Sequence, residues 1–266
     1  MTTPITVQLG GTAVGSAVPE FRLVGVNRGV LGERRDVFTP MPGRAGSWAF
    51  TEAVGDREIV LSGWVMAEGT AAKRTALTGL AKWADTPSQQ QMIFGDETDR
   101  YYLVLLTSSR VDESTRYAEV ELEFRTDPYA YATSATVETD TLTTNPDTDS
   151  ITISGDLGVC PVIELTPSGG TLTGFTLTVG SVTLTWAGGT IIAGDSITIN
   201  SISSTVTLGA NADTMVTGAF DPNALSMATV SGSFPCLNAG ANSYTLSWTG
   251  TATSVAVEWT YRRRFR

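Results

Sequence analysis

Between Thr126 and Tyr261 the chain contains no lysine or arginine, and its apolar residues there come in short runs separated by Gly, Asn, Ser and Thr. Runs such as Pro161–Leu165, Phe175–Val179, Val182–Trp186, Ser196–Ile202, Ser243–Trp248 and Ser254–Trp259 are rich in Val, Ile, Thr and aromatics. Segments of that length and composition are strands, and their spacing, with a tight turn at Gly180-Ser181, predicts an all-β sandwich. No convincing helix pattern appears in this half. The stretch before it is different: 13 basic and 16 acidic residues in ordinary mixture, against 11 acidic and no basic ones after it. Four cations return in the last five residues, Arg262, Arg263, Arg264 and Arg266. Such a shift is foreign to a single core. The expected division is a domain over 1–135, a Thr-rich linker over 136–149, and a second domain over 150–266, each lobe of common domain size.

The first lobe reads as α+β, an antiparallel sheet with one helix. Met1 to Val18 is weakly patterned and is expected to form an extended or partly mobile arm. Asn27 to Gly46 is dense in Gly, Pro and Arg, which predicts a long polar loop or a projecting hairpin. Ser47–Val54 and Arg57–Ala67 are expected to pair with each other around Gly55-Asp56. In the second of these strands Ile59, Leu61 and Val65 oppose Val60, Trp64 and Met66, so both faces are expected to be covered. Thr70 to Ala84 carries an apolar stripe at helical spacing, with Thr70 as its cap and Trp83 as a core anchor. Gln91–Phe94 and Tyr101–Thr107 form a hairpin. Tyr117 to Arg125 alternates Val120, Leu122 and Phe124 with Glu119, Glu121 and Glu123, one face buried and one in water.

Composition excludes several function classes. The formal charge of −10 and a pI near 4.5 argue against gripping a nucleic-acid backbone. The absence of histidine removes Ser-His-Asp and Cys-His nucleophile systems and the usual zinc sets. The N-terminus lacks the regions of a secretory signal and no apolar run reaches membrane-spanning length, so synthesis in the cytoplasm without membrane insertion is expected. Cys160 and Cys236 are read as buried free thiols, with a disulfide as the alternative.

Candidate sites are weak one by one. Asn145–Asp149 and Asp96–Asp99 bunch oxygen ligands but lack a calcium-loop layout, and both fall where turns are expected. Glu164 stands alone in an apolar strand, and no spacing supports a carboxylate-pair hydrolase. Trp186, Trp248, Trp259 and Tyr244 would suit a sugar-stacking platform if exposed; the preferred reading is core. The terminal arginines are expected to pair with protein carboxylates. No cofactor, metal or catalytic residue is expected.

Several stretches, taken in order, resemble the distal tail protein family of long, non-contractile-tailed bacteriophages (siphophages). They are Glu58-Ile59-Val60-Leu61-Ser62-Gly63-Trp64, the helix ending Leu80-Ala81-Lys82-Trp83, Asp99 to Val104, Phe124 to Tyr129, and Trp259 to Arg266. The resemblance implies a structural protein of the virion tail tip, assembled in the host cytoplasm, with no enzyme activity. It implies a homo-hexameric ring of N-terminal domains at the end of the tail tube, with DNA passing through the lumen. It implies outward galectin-like sandwiches, with the tail tube protein, the hub or tail-associated protein and receptor-binding or side-fibre proteins as partners. Within that frame, an arm carrying Arg34, Arg35, Pro40, Pro42 and Arg44 is expected to meet the neighbour's Glu119, Glu121 and Glu123. Arg262, Arg263, Arg264 and Arg266 form a C-terminal docking tail. The competing expectation is a carbohydrate-binding sandwich that contacts the host surface.

Overall fold

The computed structural model describes residues 5–29, 34–40, 47–208 and 229–266; within it, β4 and β5 below are described by their backbone. The chain divides into two compact units, Met1–Thr133 with Arg266, and Ser134–Phe265.

The first unit runs β1 (Val7–Leu9), β2 (Thr12–Ala13), α1 (Val14–Ala17), β3 (Phe21–Arg28), β4 (Arg34–Pro40), β5 (Ser47–Val54), β6 (Arg57–Met66), α2 (Thr70–Ala84), β7 (Gln90–Phe94), β8 (Glu97–Glu113), β9 (Tyr117–Thr126) and β10 (Ala130–Ala132). The main sheet follows the path β2-β1-β7-β8-β9-β6-β3, with β10 beside β8. Its core side is set by alternation: Ala118, Val120, Leu122 and Phe124 of β9 lie over Ile59, Leu61 and Val65 of β6, all buried. Helix α2 covers this side through Ala76, Leu80, Trp83 and Ala84, and the Trp83 indole N–H donates to the Thr12 carbonyl at 3.0 Å. That bond and the β1–β7 pairing fix the stretch from Val7 to Ala13. The expected mobile arm is therefore a bound edge, its Val7, Leu9, Val14 and Val18 in the core.

Three further expectations are corrected. β5 pairs with β4 as a separate two-stranded sheet, while β6 pairs with β3 and β9. β6 is fully covered on one face, whereas on the other, among the described residues, Val60 is half-buried and Trp64 and Met66 are 45% and 57% exposed. Helix α2 has Gly69, not Thr70, at its N-cap, with no side-chain cap bond; Gly takes that left-handed backbone (φ 85°) without strain.

The second unit continues with β11 (Thr136–Leu142), β12 (Asp147–Ile153), β13 (Val162–Ser168), β14 (Leu172–Val179), β15 (Val182–Ile191), β16 (Ile197–Asn200), β17 (Thr205–Leu208), β18 (Thr229–Gly232), β19 (Gly240–Gly250), β20 (Ser254–Tyr261) and β21 (Arg264–Phe265). Among the described residues two five-stranded antiparallel sheets, β11-β20-β13-β16-β17 and β12-β19-β14-β15-β18, enclose one apolar cluster that includes Trp186, Trp248, Trp259 and Tyr244. Residues 136–149, expected as a linker, form β11 and the start of β12, paired with β20 and β19. Cys160 and Cys236 form a disulfide, which replaces the free-thiol reading. The Val159–Leu237 backbone bridge beside them brings the two together across 76 residues of sequence.

The outer face of the sheet containing β14 and β19 is lined with hydroxyls that bond to one another across strands. Thr148 meets Thr245 at 2.9 Å, Thr173 meets Thr249 at 3.1 Å, Thr178 meets Thr183 at 3.2 Å and Thr176 meets Thr185 at 3.3 Å. β14, β15, β18 and β19 contain no charged residue.

Candidate interaction surfaces

Period-2 alternation in β9 puts Tyr117, Glu119, Glu121, Glu123 and Arg125 on the side of the sheet away from α2. The antiparallel register sets Trp64 opposite Glu119 and Ser62 opposite Glu121 on β6. On β8 it sets Asp112 opposite Glu119, Arg110 opposite Glu121 and Ser108 opposite Glu123. Glu119 and Glu121 are exposed; Glu123 is half-buried and accepts a 2.7 Å bond from the Ser108 hydroxyl. Arg110 pairs with Asp112 at 3.1 Å along its own strand. At one end the acidic row gives way to apolar surface. Tyr117, 44% exposed, packs at 6.0 Å between ring centroids from Trp64, with Met66 at the next outward position on β6. The face is thus an acidic field bordered by aromatic and thioether surface, with nothing of this chain's described residues over it.

At the opposite end of β6 a cleft of about 620 Å³ is bordered by Asn27, Asp56, Glu58, Glu123 and Arg125. The Arg125 guanidinium pairs with Asp56 there. Arg34, Arg35 and Pro40 lie on β4, and Pro42 and Arg44 fall outside the described residues. The remaining arginine of the expected arm, Arg28, is engaged within its own unit. It pairs with Asp96 and, at 3.0 Å, with Glu97, and lies 4.5 Å from the centroid of the Phe94 ring. The Tyr102 hydroxyl also donates to Glu97 at 3.0 Å. The oxygen-rich Asp96–Asp99 stretch therefore anchors a cation of the fold.

The other oxygen-rich stretch is equally occupied. Asp147 accepts backbone N–H bonds from Thr144, Thr143 and Thr148, which hold its carboxyl below the usual range. Asn145 exchanges two bonds with the Trp248 backbone. Among the described residues no group of three or more His, Cys, Asp or Glu is arranged to hold a metal ion.

In the sandwich, the four aromatics considered as a sugar platform are 1–6% exposed and belong to the core. Two of their polar tips are used internally: the Trp248 indole N–H donates to the Ala252 carbonyl at 3.2 Å and the Tyr244 hydroxyl to Asp140 at 2.9 Å. Tyr261 does the same to Glu138 at 2.6 Å. Burial first, then these carboxylates, push both phenols well above their ordinary pKa. Of the terminal arginines, Arg264 donates to the Gly158 carbonyl at 3.3 Å and Arg263 lies 5.7 Å from the Phe265 ring centroid. The exposed Trp64–Met66–Tyr117 surface escaped the sequence reading. Its signal was parity, since Tyr117 shares the face of Glu119 and Trp64 opposes the buried Val65.

Residues 25–126 match the family described as phage tail protein RIFT-related domain. No curated protein matches the chain. Among solved structures, the chain is similar to the Dit (gp 19.1) protein of phage SPP1, described as a paradigm of hub adsorption apparatus in Gram-positive infecting phages. That likeness covers 99% of this chain and 100% of that one, at 17% identity and a TM-score of 0.76. Chains of the phage P2 baseplate in its activated conformation also align. With Ca, identity is 11%, coverage 99% and 98%, and the TM-score 0.42. With Sr, identity is 10%, coverage 97% and 97%, and the TM-score 0.44.

Proposed function

We propose that this chain, a phage tail protein with the fold of a distal tail protein, is a structural component of the tail tip that acts by assembling and not by catalysis. Its N-terminal units close into a homo-hexameric ring at the end of the tail tube, and DNA passes through the lumen. Its C-terminal sandwich, read as galectin-like, offers docking surface to the hub or tail-associated protein and to receptor-binding or side-fibre proteins.

The observation that carries this reading is the outward face of β6 and β9. Trp64, Met66 and Tyr117 expose large apolar surface at one end of this sheet face. Covering such surface is worth roughly 25 cal/mol per Å². A ring forms when one patch of a subunit fits a different patch of its neighbour and the rotation closes. The acidic row Glu119–Glu121–Glu123 supplies a charge match for the arm that carries Arg34, Arg35 and Arg44, with Pro40 and Pro42 stiffening it. A two-stranded sheet such as β4–β5 is marginal on its own in water, which favours its docking on another surface. The acidic excess suits a lumen that lets phosphates slide, because cations would hold them.

Native mass spectrometry of the purified full chain tests the proposal. A six-copy species is expected, and the triple change Glu119→Gln, Glu121→Gln, Glu123→Gln is expected to shift it toward smaller species. A strict monomer at every concentration defeats the ring, and an unaltered ring in the triple variant defeats the acidic-face contact.

A further inference from the structure

Glu164 stands alone among apolar residues in the sequence, but the register of the sandwich gives it a like-charged neighbour. It lies on β13 directly opposite Glu258 of β20, which sets their Cβ atoms about 4.5–5.5 Å apart. Thr139 of β11 flanks the pair on the Glu258 side and Thr198 of β16 on the Glu164 side. Alternation of buried and open positions turns this whole row away from the core. Both carboxylates are half-buried, and among the described residues neither has a hydrogen-bond or ion-pair partner. The strands cannot supply a counter-charge, because no lysine or arginine lies between Thr126 and Tyr261. The outward positions of β11, β20, β13, β16 and β17 hold no other charge. Beside the pair the face is partly apolar, with Val137 55% exposed and Val162 half-buried. Like charges directly opposite one another oppose the pairing of their strands, and partial burial removes water that would screen them. What this face lacks is a cation, and it must come from outside the strands.

We propose that this face of the sandwich is a docking patch for a protein that projects an arginine framed by apolar side chains. A guanidinium is a planar fork of N–H donors, able to give hydrogen bonds to both carboxylates at once. Its apolar frame covers Val137 and Val162. Charge complementarity of this kind fixes the orientation of a partner and hastens encounter. A nucleic acid is repelled by the same carboxylates. A metal ion fits the pair poorly: a hard cation takes six or more oxygens, and among the described residues no third carboxylate joins the two. That the partner is another component of the tail tip rests on the structural reading above; the chemistry of the patch does not. The patch is also separate from the proposed ring contact, since the acidic row of β9 belongs to the first unit and Glu164 and Glu258 to the second.

Biolayer interferometry of the full chain tests the patch against an immobilised, end-capped peptide, Val-Arg-Val-Arg-Val, and against its twin with citrulline in place of arginine. Citrulline keeps the shape and removes the charge. The arginine peptide is expected to bind about tenfold more tightly than its twin or better, and the double change Glu164→Gln with Glu258→Gln is expected to remove that difference. The charge-matched change Glu20→Gln with Glu68→Gln, at exposed positions of the first unit, is expected to retain it. In thermal scans Glu258→Gln alone is expected to raise Tm by about 1–3 °C, because Glu164 is then relieved of its like-charged neighbour. Equal binding of the two peptides overturns the proposal, and so does an arginine preference that survives the double change. A Tm that falls or stays the same in Glu258→Gln overturns it too, since the pair would then be satisfied within the fold. Native mass read on the same samples separates the two proposals: a six-copy ring that ignores the arginine refutes only the patch, and a monomer that selects it refutes only the ring.

Discussion

Asp140 and Asp149, on the edge strands β11 and β12, shift each other's titration in opposite directions. Asp149 keeps its proton to a higher pH than an ordinary carboxyl, because it bonds to the Asp140 carboxylate and its charged form is repelled by it; the Ser150 N–H pulls the other way. Asp140 is held below the ordinary range by that same bond, against the opposing effect of its partial burial, with help from the Tyr244 hydroxyl and the Thr141 N–H. The signs follow. As pH falls through the raised Asp149 value, that group takes a proton and the pair adds stability. At lower pH Asp140 also protonates, its folded value being below its unfolded one, and its share is lost. Asp149→Asn places a permanent N–H donor there without charge. It is expected to raise Tm at pH 7 by about 1 °C and to flatten the pH dependence around the Asp149 titration, both readable in thermal scans. A lower or unchanged Tm at pH 7 contradicts this account. The pair itself was not legible in the sequence. Nothing in the spacing of Asp140, Asp147 and Asp149 says which two will meet once β11 and β12 enter different sheets.

Elements with a strong period were legible and elements held by pairing were not. Helix α2 and strand β9 stand out because their apolar residues recur at 3.6 and 2. β8 runs on through Thr107, Ser108, Ser109, Arg110 and Asp112, a polar stretch with no alternation, because β9 offers it a ladder there. β11 is similar: an edge strand rich in Thr, whose composition resembles a linker until β20 pairs with it. The role of Arg28 was hidden for another reason. Its charge belongs, by sequence, to the Arg-rich arm, while its partners Asp96 and Glu97 lie 68 and 69 residues away. The contact joins the end of β3 to the β7–β8 turn, two places that are not neighbours in the sheet order. Arg28→Ala is expected to cost the N-terminal unit about 1–3 kcal/mol, with a smaller loss at high salt than at low salt. Urea unfolding at two ionic strengths measures it, and a loss under a few tenths of a kcal/mol at both shows the cluster to be ornamental.

At the scale of the whole molecule, the charge boundary and the structural one nearly coincide: the cation-free stretch begins at Thr126 and the second unit at Ser134. A separate core lets each half keep its own surface chemistry. Residues 134–266 made alone are therefore expected to fold and to unfold in one cooperative transition, seen by near-ultraviolet circular dichroism. A fragment without tertiary signal would show that the sandwich leans on the N-terminal unit. The pairing of hydroxyl with hydroxyl across the sandwich sheet, set against the glutamates of β9, has a practical consequence. A ligand resting on the threonine rows of β14, β15 and β19 meets no charged side chain of those strands and should keep its affinity as ionic strength rises. One drawn to the β9 glutamates should be shed by the same salt, so a sodium chloride titration tells which of these two surfaces is being held.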